Sequence, residues 1–304
     1  MAQANNHNTR TAQIIHFVNK LETRKAGMWL IFIYITFVNV FILKVSPELL
    51  ALQFFLIVFL FMRSEKSQFL RDWIPYIALF FLYEFLRGYA DDLSPFYNNT
   101  LYAIHFIEEE LFGGTIPTIT LQNLLYPNVW LLYFLLLFYS SFFYFSFVVG
   151  FIIWWKKNAD FHDYFRRFML LSFIGLIFYF LIPTAPPWFV DRAFRLGVDR
   201  ELFINTFFSS FSGGSLTAYF IEGNPVAAFP SLHTAWTAFT AIYVVKKYGK
   251  KFWPALIVPT MVGFSIILTG EHYILDVFAG WVLAYGIVHA TSSSFNYFLN
   301  RIRP

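Results

Sequence analysis

The chain has 304 residues, of which 58% are hydrophobic and 13% charged, and its formal net charge is +4. Soluble domains run at roughly 45–50% apolar and about 25% charged, so this chain has too few charges to cover a water-exposed surface, and its apolar content excludes disorder. An integral membrane protein remains. Cysteine is absent, which excludes disulfides, iron–sulfur clusters, thiolate zinc sites and cysteine nucleophiles.

Residues 1–26 are polar and lack an early apolar core, so no leader peptide is expected and targeting falls to the first true span. Within them Ile14, Ile15, Phe17, Val18 and Leu21 recur at helical spacing among Arg10, Lys20, Arg24 and Lys25. That pattern fits a helix lying on the membrane surface and equally a short capping helix. A bilayer core about 30 Å thick needs around 20 apolar residues per helix. Eight spans are expected, at roughly 27–44, 49–62, 73–87, 129–155, 168–182, 229–246, 252–269 and 272–291. Helices are the default because backbone polar groups must be satisfied within lipid, and the alternation of a membrane barrel is absent. The expected fold is therefore all-α: a polytopic helical bundle forming one domain over 27–304 after the N-terminal segment. Two long connections, 88–128 and 183–228, are rich in aromatic residues and are expected to be ordered caps.

If the spans alternate sides, only five of the 22 Lys and Arg residues fall opposite the N terminus: Lys44, Arg87, Arg192, Arg195 and Arg200. The positive-inside rule then places both termini in the cytoplasm and both long loops in a periplasm, exterior or lumen. Of the seven histidines, His105, His233 and His272 fall on or near that outer face.

His233 sits in Phe229-Pro230-Ser231-Leu232-His233, at the start of a span. Proline suits a first helical turn. Serine can cap it, and free N–H groups at a helix start bind phosphate. His272 and Asp276, four apart, share a face if helical; an Asp beside a His fixes the imidazole tautomer and leaves the other nitrogen free. Alone, the first cluster reads as a plain helix cap and the second as a structural pair. Together they return to one membrane face across a two-span hairpin, which suits phosphoryl transfer through a phosphohistidine. Two His and one Asp also form a set that holds zinc or iron, the rival chemistry. A transporter or channel is the non-enzymatic rival, for which Glu84, His289 and the Pro and Gly breaks would matter; no paired halves are evident.

The Pro230-Ser231-Leu232-His233 and His272-x-x-x-Asp276 segments resemble the second and third signature motifs of the type 2 phosphatidic acid phosphatase superfamily. Residues Asn224 to His233, Gly270 to Val277 and Pro183 to Trp188 are most similar to its inositol phosphorylceramide synthase-like branch. The likeness runs well over 165–290 and more loosely over 70–125, with Leu86-Arg87-Gly88 and Leu111-Phe112-Gly113-Gly114. Some family positions differ: Ile266 follows Ser265 where Arg is usual, Leu232 replaces a Gly, and the first motif, a Lys spaced before Arg-Pro, is missing.

The resemblance implies a six-helix catalytic core, with His272 as nucleophile on phosphorus, Asp276 orienting it and His233 as general acid and base. Ser231 and its neighbouring N–H groups would cradle the phosphate, and neither metal nor cofactor is required. It also implies a lipid phosphate substrate in the bilayer, a phosphoester or pyrophosphate, with an alcohol or sugar hydroxyl as acceptor in a transferase and water in a phosphatase. The branch favours the transferase. Phosphoryl transfer needs positive charge around phosphorus; Arg87, at the end of a span that also holds Glu84, is the first candidate by location, followed by Arg192 and Arg195. His105 reads as a loop histidine, and Glu108-Glu109-Glu110 as a run facing water. No nucleic-acid partner is expected.

Overall fold

The computed structural model describes residues 59, 66–125, 128–156, 159–199 and 224–290. The N-terminal segment 1–26, the span expected at 27–44, most of that at 49–62, and Arg200 lie outside these residues. The chain divides into two compact units, Met1–Phe69 and Leu70–Pro304. The second carries His233, His272 and Asp276 and the helices around them.

The described residues form helices in the order α1 (Lys66–Arg87), α2 (Tyr97–Thr100), α3 (Ala103–Leu111), α4 (Pro117–Leu125), α5 (Val129–Trp155), α6 (Phe161–Leu181), α7 (Pro187–Phe194), α8 (Leu232–Tyr248), a 3-10 turn (Lys250–Leu256), α9 (Ile257–Leu268) and α10 (Ile274–His289). Between them, Thr184 and Ala227 form an isolated parallel bridge. Phe161–Leu181 and Lys250–Leu268 are each long and apolar enough to cross a membrane. Trp130–Phe142 and Tyr144–Trp155 make a third crossing if read as one span, bent by 50°, and Ile274–His289 is a shorter apolar helix.

The stretch expected at 73–87 belongs to a longer helix, α1, of 22 residues. At 1.5 Å per residue it is about 33 Å long. Its two carboxylates are satisfied along the way: Asp72 Oδ2 accepts from Trp154 Nε1 at 3.0 Å, and Glu84 receives Arg87 Nη2 at 2.7 Å. The helices are also joined by buried polar contacts, the usual glue between helices in lipid. Tyr164 O–H donates to Ser146 O at 2.8 Å, Thr240 Oγ1 meets Ser146 Oγ at 2.9 Å, and Trp236 Nε1 donates to Ser172 Oγ at 3.0 Å.

The ends of these helices are chemically distinct. At one end Arg167 Nη1 donates to Ile287 O and Ala290 O, Lys246 Nζ to Val288 O, and Lys247 pairs with Asp160 at 2.8 Å. Arg167 and Lys246 complete the carbonyl end of α10, where positive charge is favoured. At the other end the described parts of the two long connections fold over the bundle, with α2, α3, α4 and α7 among them. Thr184 N–H donates to Val226 O, Ala185 N–H to Leu101 O, and Trp188 N–H to Gly270 O. Beneath this cover lies an apolar cluster of Ile104, Ile116, Trp188, Val198 and Tyr273.

Candidate functional site

Two helix starts build the site. Ser231 is the N-cap of α8, its Oγ accepting from Thr234 N–H at 3.4 Å. Pro230 therefore stands before the helix rather than in its first turn. The start of α10 lies directly against this cap: Ser231 N–H donates to Asp276 O at 3.0 Å. Gly280 permits the approach, because a Cβ there would lie 2.5 Å from Ser231 O.

His272 is not on a helix. The N-cap of α10 is Tyr273, so His272 precedes it, and the expected shared helical face is replaced by a folded-back cap. Asp276, at the third helical position, turns its Oδ2 to accept from Tyr273 N–H at 2.9 Å, and the same oxygen lies 3.3 Å from His272 Nδ1. The backbone ahead of His272 turns at Gly270, where φ is +74°, a conformation that favours glycine. His272 and Asp276 are buried, with 5% and 0% of their side chains exposed.

The second nitrogen of His272, Nε2, lies 3.0 Å from His233 Nδ1. His233 is half-buried. Its ring lies between Tyr139, stacked at 5.7 Å, and Phe142, edge-on at 4.3 Å. The three residues singled out in the sequence thus form one continuous line of contacts: Asp276, His272, His233. Among the described residues no group of three or more His, Asp or Glu is arranged to hold a metal ion.

Arg87 lies half-buried at the end of α1, with Nε 3.0 Å and Nη2 2.7 Å from Glu84 Oε2. It is within electrostatic reach of His233 and of Tyr179. Its carbonyl accepts from Asn224 Nδ2 at 3.0 Å, and the same nitrogen donates to Asp91 Oδ1 at 2.7 Å. The structure thus ties the segment that begins at Asn224, the run leading into Ser231, to the end of α1. Tyr179 was not singled out in the sequence. Its hydroxyl donates to Pro230 O at 3.2 Å and is hydrogen-bonded by the Leu232 amide, so it sits at the mouth of α8.

Arg192 and Arg195 are exposed. Arg192 stacks over Trp188 at 4.6 Å, and Arg195 caps α7 in the left-handed region at φ 55°. Ser265 is buried and donates to Leu135 O at 2.8 Å, tying α9 to α5. His105 is buried, at 2% exposure, and burial lowers its pKa, with Glu109 acting in the opposite sense.

A further expectation is overturned. Glu108 does not face water: it is fully buried, and its Oε2 accepts from Leu275 N–H at 3.1 Å. Burial is the main reason its carboxyl is pushed up to about 7. Three successive glutamates look like a solvated face, and nothing in that run reveals that the connection folds back onto the start of α10.

The family model described as PAP2 superfamily matches residues 103–290. A protein of Bacteroides thetaiotaomicron named phosphoinositol dihydroceramide synthase is 29% identical over 153 residues, which cover 43% of this chain and 46% of that protein. The match thus spans just under half of that relative's length. No solved structure gives a significant match.

Proposed function

The chain belongs to the PAP2 superfamily, and from that premise we propose that it is a membrane phosphotransferase that moves an alcohol-substituted phosphate from one lipid to a hydroxyl of another. The observation that carries this reading is the Asp276–His272–His233 relay, with Nε2 of His272 facing His233 at 3.0 Å. Asp276 accepts a hydrogen bond from Nδ1–H of His272 and stabilises the charge that develops on the ring, so Nε2 presents its lone pair.

Nε2 attacks phosphorus. The P–N bond forms as the P–O bond to the leaving lipid breaks, and the leaving oxygen takes a proton from His233. The acceptor hydroxyl then gives its proton to His233 while its oxygen attacks phosphorus. The P–N bond breaks and His272 is restored. Arg87, held by Glu84, supplies positive charge beside phosphorus. The Ser231 hydroxyl, whose oxygen already accepts from Thr234, has its proton to donate to a phosphate oxygen. Arg192 and Arg195 remain candidates for the approach of the anionic headgroup. None of these steps calls on a metal.

The relative's name pairs phosphoinositol with dihydroceramide. We take an inositol-bearing phospholipid as donor and the primary hydroxyl of a ceramide-type lipid as acceptor. The 17 to five division of basic residues supports cytoplasmic termini and an outward-facing site. Purified protein in detergent, given phosphatidylinositol and fluorescent dihydroceramide, is expected to yield a slower-migrating phosphorylated product on thin-layer plates. Inorganic phosphate released from simple lipid phosphates, with no product on the ceramide, would replace the transferase by a phosphatase using water.

A further inference from the structure

Glu108 has no part in the transfer chemistry, yet it is among the most deeply buried side chains and touches the helix that carries Asp276. It comes from α3, on the cover that the first long connection lays over the bundle. Oε2 accepts from Leu275 N–H at 3.1 Å, and the Ile274 amide is a second backbone donor to the same carboxyl. Oε1 has no hydrogen-bond partner among the described residues. His105, one turn earlier, brings its ring to 6.1 Å from that of Tyr273.

A helix start leaves its first N–H groups without partners inside the helix. In α10 two carboxylates share them. Asp276 Oδ2 takes Tyr273 N–H at 2.9 Å, and Glu108 Oε2 takes Leu275 N–H at 3.1 Å. Asp276 Oδ2 must also hold His272 Nδ1, and at 3.3 Å that is the longer of its two contacts. Remove Glu108 and the Leu275 amide, part-buried at the helix start, loses its partner, which is costly. The carboxylate of Asp276, one residue away, is the acceptor at hand. Serving that amide draws it off His272.

We propose that Glu108 is a positioning residue: by capping α10 from the cover helix, it leaves Asp276 free to orient His272. The inference rests on the reading of His272 as nucleophile. It adds a role for the first long connection, which couples the ordering of the cover to the reactivity of the relay. The carboxyl need not be ionised, because a protonated Glu or a Gln keeps one oxygen to accept from Leu275 N–H.

The test uses the full chain in detergent with phosphatidylinositol and fluorescent dihydroceramide, comparing Glu108→Met, Glu108→Gln, Asp276→Asn and the double variant Glu108→Met/Asp276→Asn. Methionine fills the volume without an acceptor oxygen. Glu108→Met is expected to lower kcat by about 10- to 100-fold with KM within about threefold, Glu108→Gln to stay within about threefold of the parent, and the double variant to be no slower than Asp276→Asn alone. If Glu108→Met does not fold, Glu108→Asp, one methylene too short to reach Leu275, must lower kcat while Glu108→Gln does not. Parent-like kcat in the acceptor-free or shortened variant, failure of Gln to rescue, or losses that multiply in the double variant would overturn the proposal. His272→Ala is run alongside. If it remains active, the reading of the site has failed; if it is inactive while Glu108→Met is parent-like, only the positioning role has failed.

Discussion

Glu108 also makes a thermodynamic prediction that does not depend on turnover. Its carboxyl is raised from an ordinary 4.5 to about 7, chiefly by burial. The native state therefore keeps this proton to a higher pH than the unfolded chain does. Below about 4.5 both states are protonated and the contribution to stability is full. Between 4.5 and 7 the unfolded chain ionises while the native protein does not, so stability falls as pH rises; above 7 the loss is complete. At 1.36 kcal/mol per pH unit, the loss is about 3 kcal/mol. Glu108→Gln keeps the acceptor for Leu275 N–H and removes the titration. Asp276 and Tyr273, the titratable groups that interact with this carboxyl, are present in both proteins, so the difference between parent and variant isolates Glu108. The chain has nine tryptophans and no cysteine, so intrinsic fluorescence is the melting probe of choice. From about pH 5 to about pH 8 the parent's Tm should fall by several degrees relative to Glu108→Gln. A flat difference, or one that rises with pH, would refute the reasoning.

Other expectations follow from the same geometry. His272→Ala should reach the detergent extract with parent-like Tm and lose at least about 10⁴-fold in kcat, since it removes the attacking atom; His233→Ala should lose about 10²- to 10⁴-fold. Asp276→Asn presents His272 with an amide in place of a charge, and kcat should drop by about 10²- to 10⁴-fold in single-turnover measurements, as expected when an imidazole is held in the wrong tautomer. Gly280→Val places atoms where a Cβ alone already lies 2.5 Å from Ser231 O; overpacking of about 1–3 kcal/mol or more should lower Tm and kcat together, because α8 and α10 must part. Prolonged treatment with a strong chelator should leave the rate of product formation unchanged; inhibition reversed by one added metal would contradict a relay that works through His272, His233 and Asp276 alone.

The relay was legible in the sequence because its parts lie in short local patterns at helix starts. His233 follows a Pro-Ser cap, and His272 and Asp276 are four apart. The detailed geometry was not legible. A four-residue spacing reads as a helical face, whereas Tyr273 is the N-cap and the contact forms through a carboxylate folding back over it. The apolar window that marked 73–87 understated α1, because charges end such a window. Here Asp72 remains inside the helix, satisfied by Trp154. Glu108 was misplaced and Tyr179 passed over for a related reason. Their significance lies in contacts made across 167 and 51 residues of sequence, and no local pattern encodes a connection that folds back onto a helix start.

The central claim is a covalent bond between His272 and phosphorus. Protein mixed with phosphatidylinositol labelled at phosphorus, without acceptor, and quenched in base within one turnover, should carry close to one label per site. That label should be acid-labile, map to the peptide containing His272, be absent from His272→Ala, and be discharged by adding dihydroceramide before the quench. Turnover at the parent rate with no label ever found on the protein, or a label that persists in His272→Ala, would contradict it.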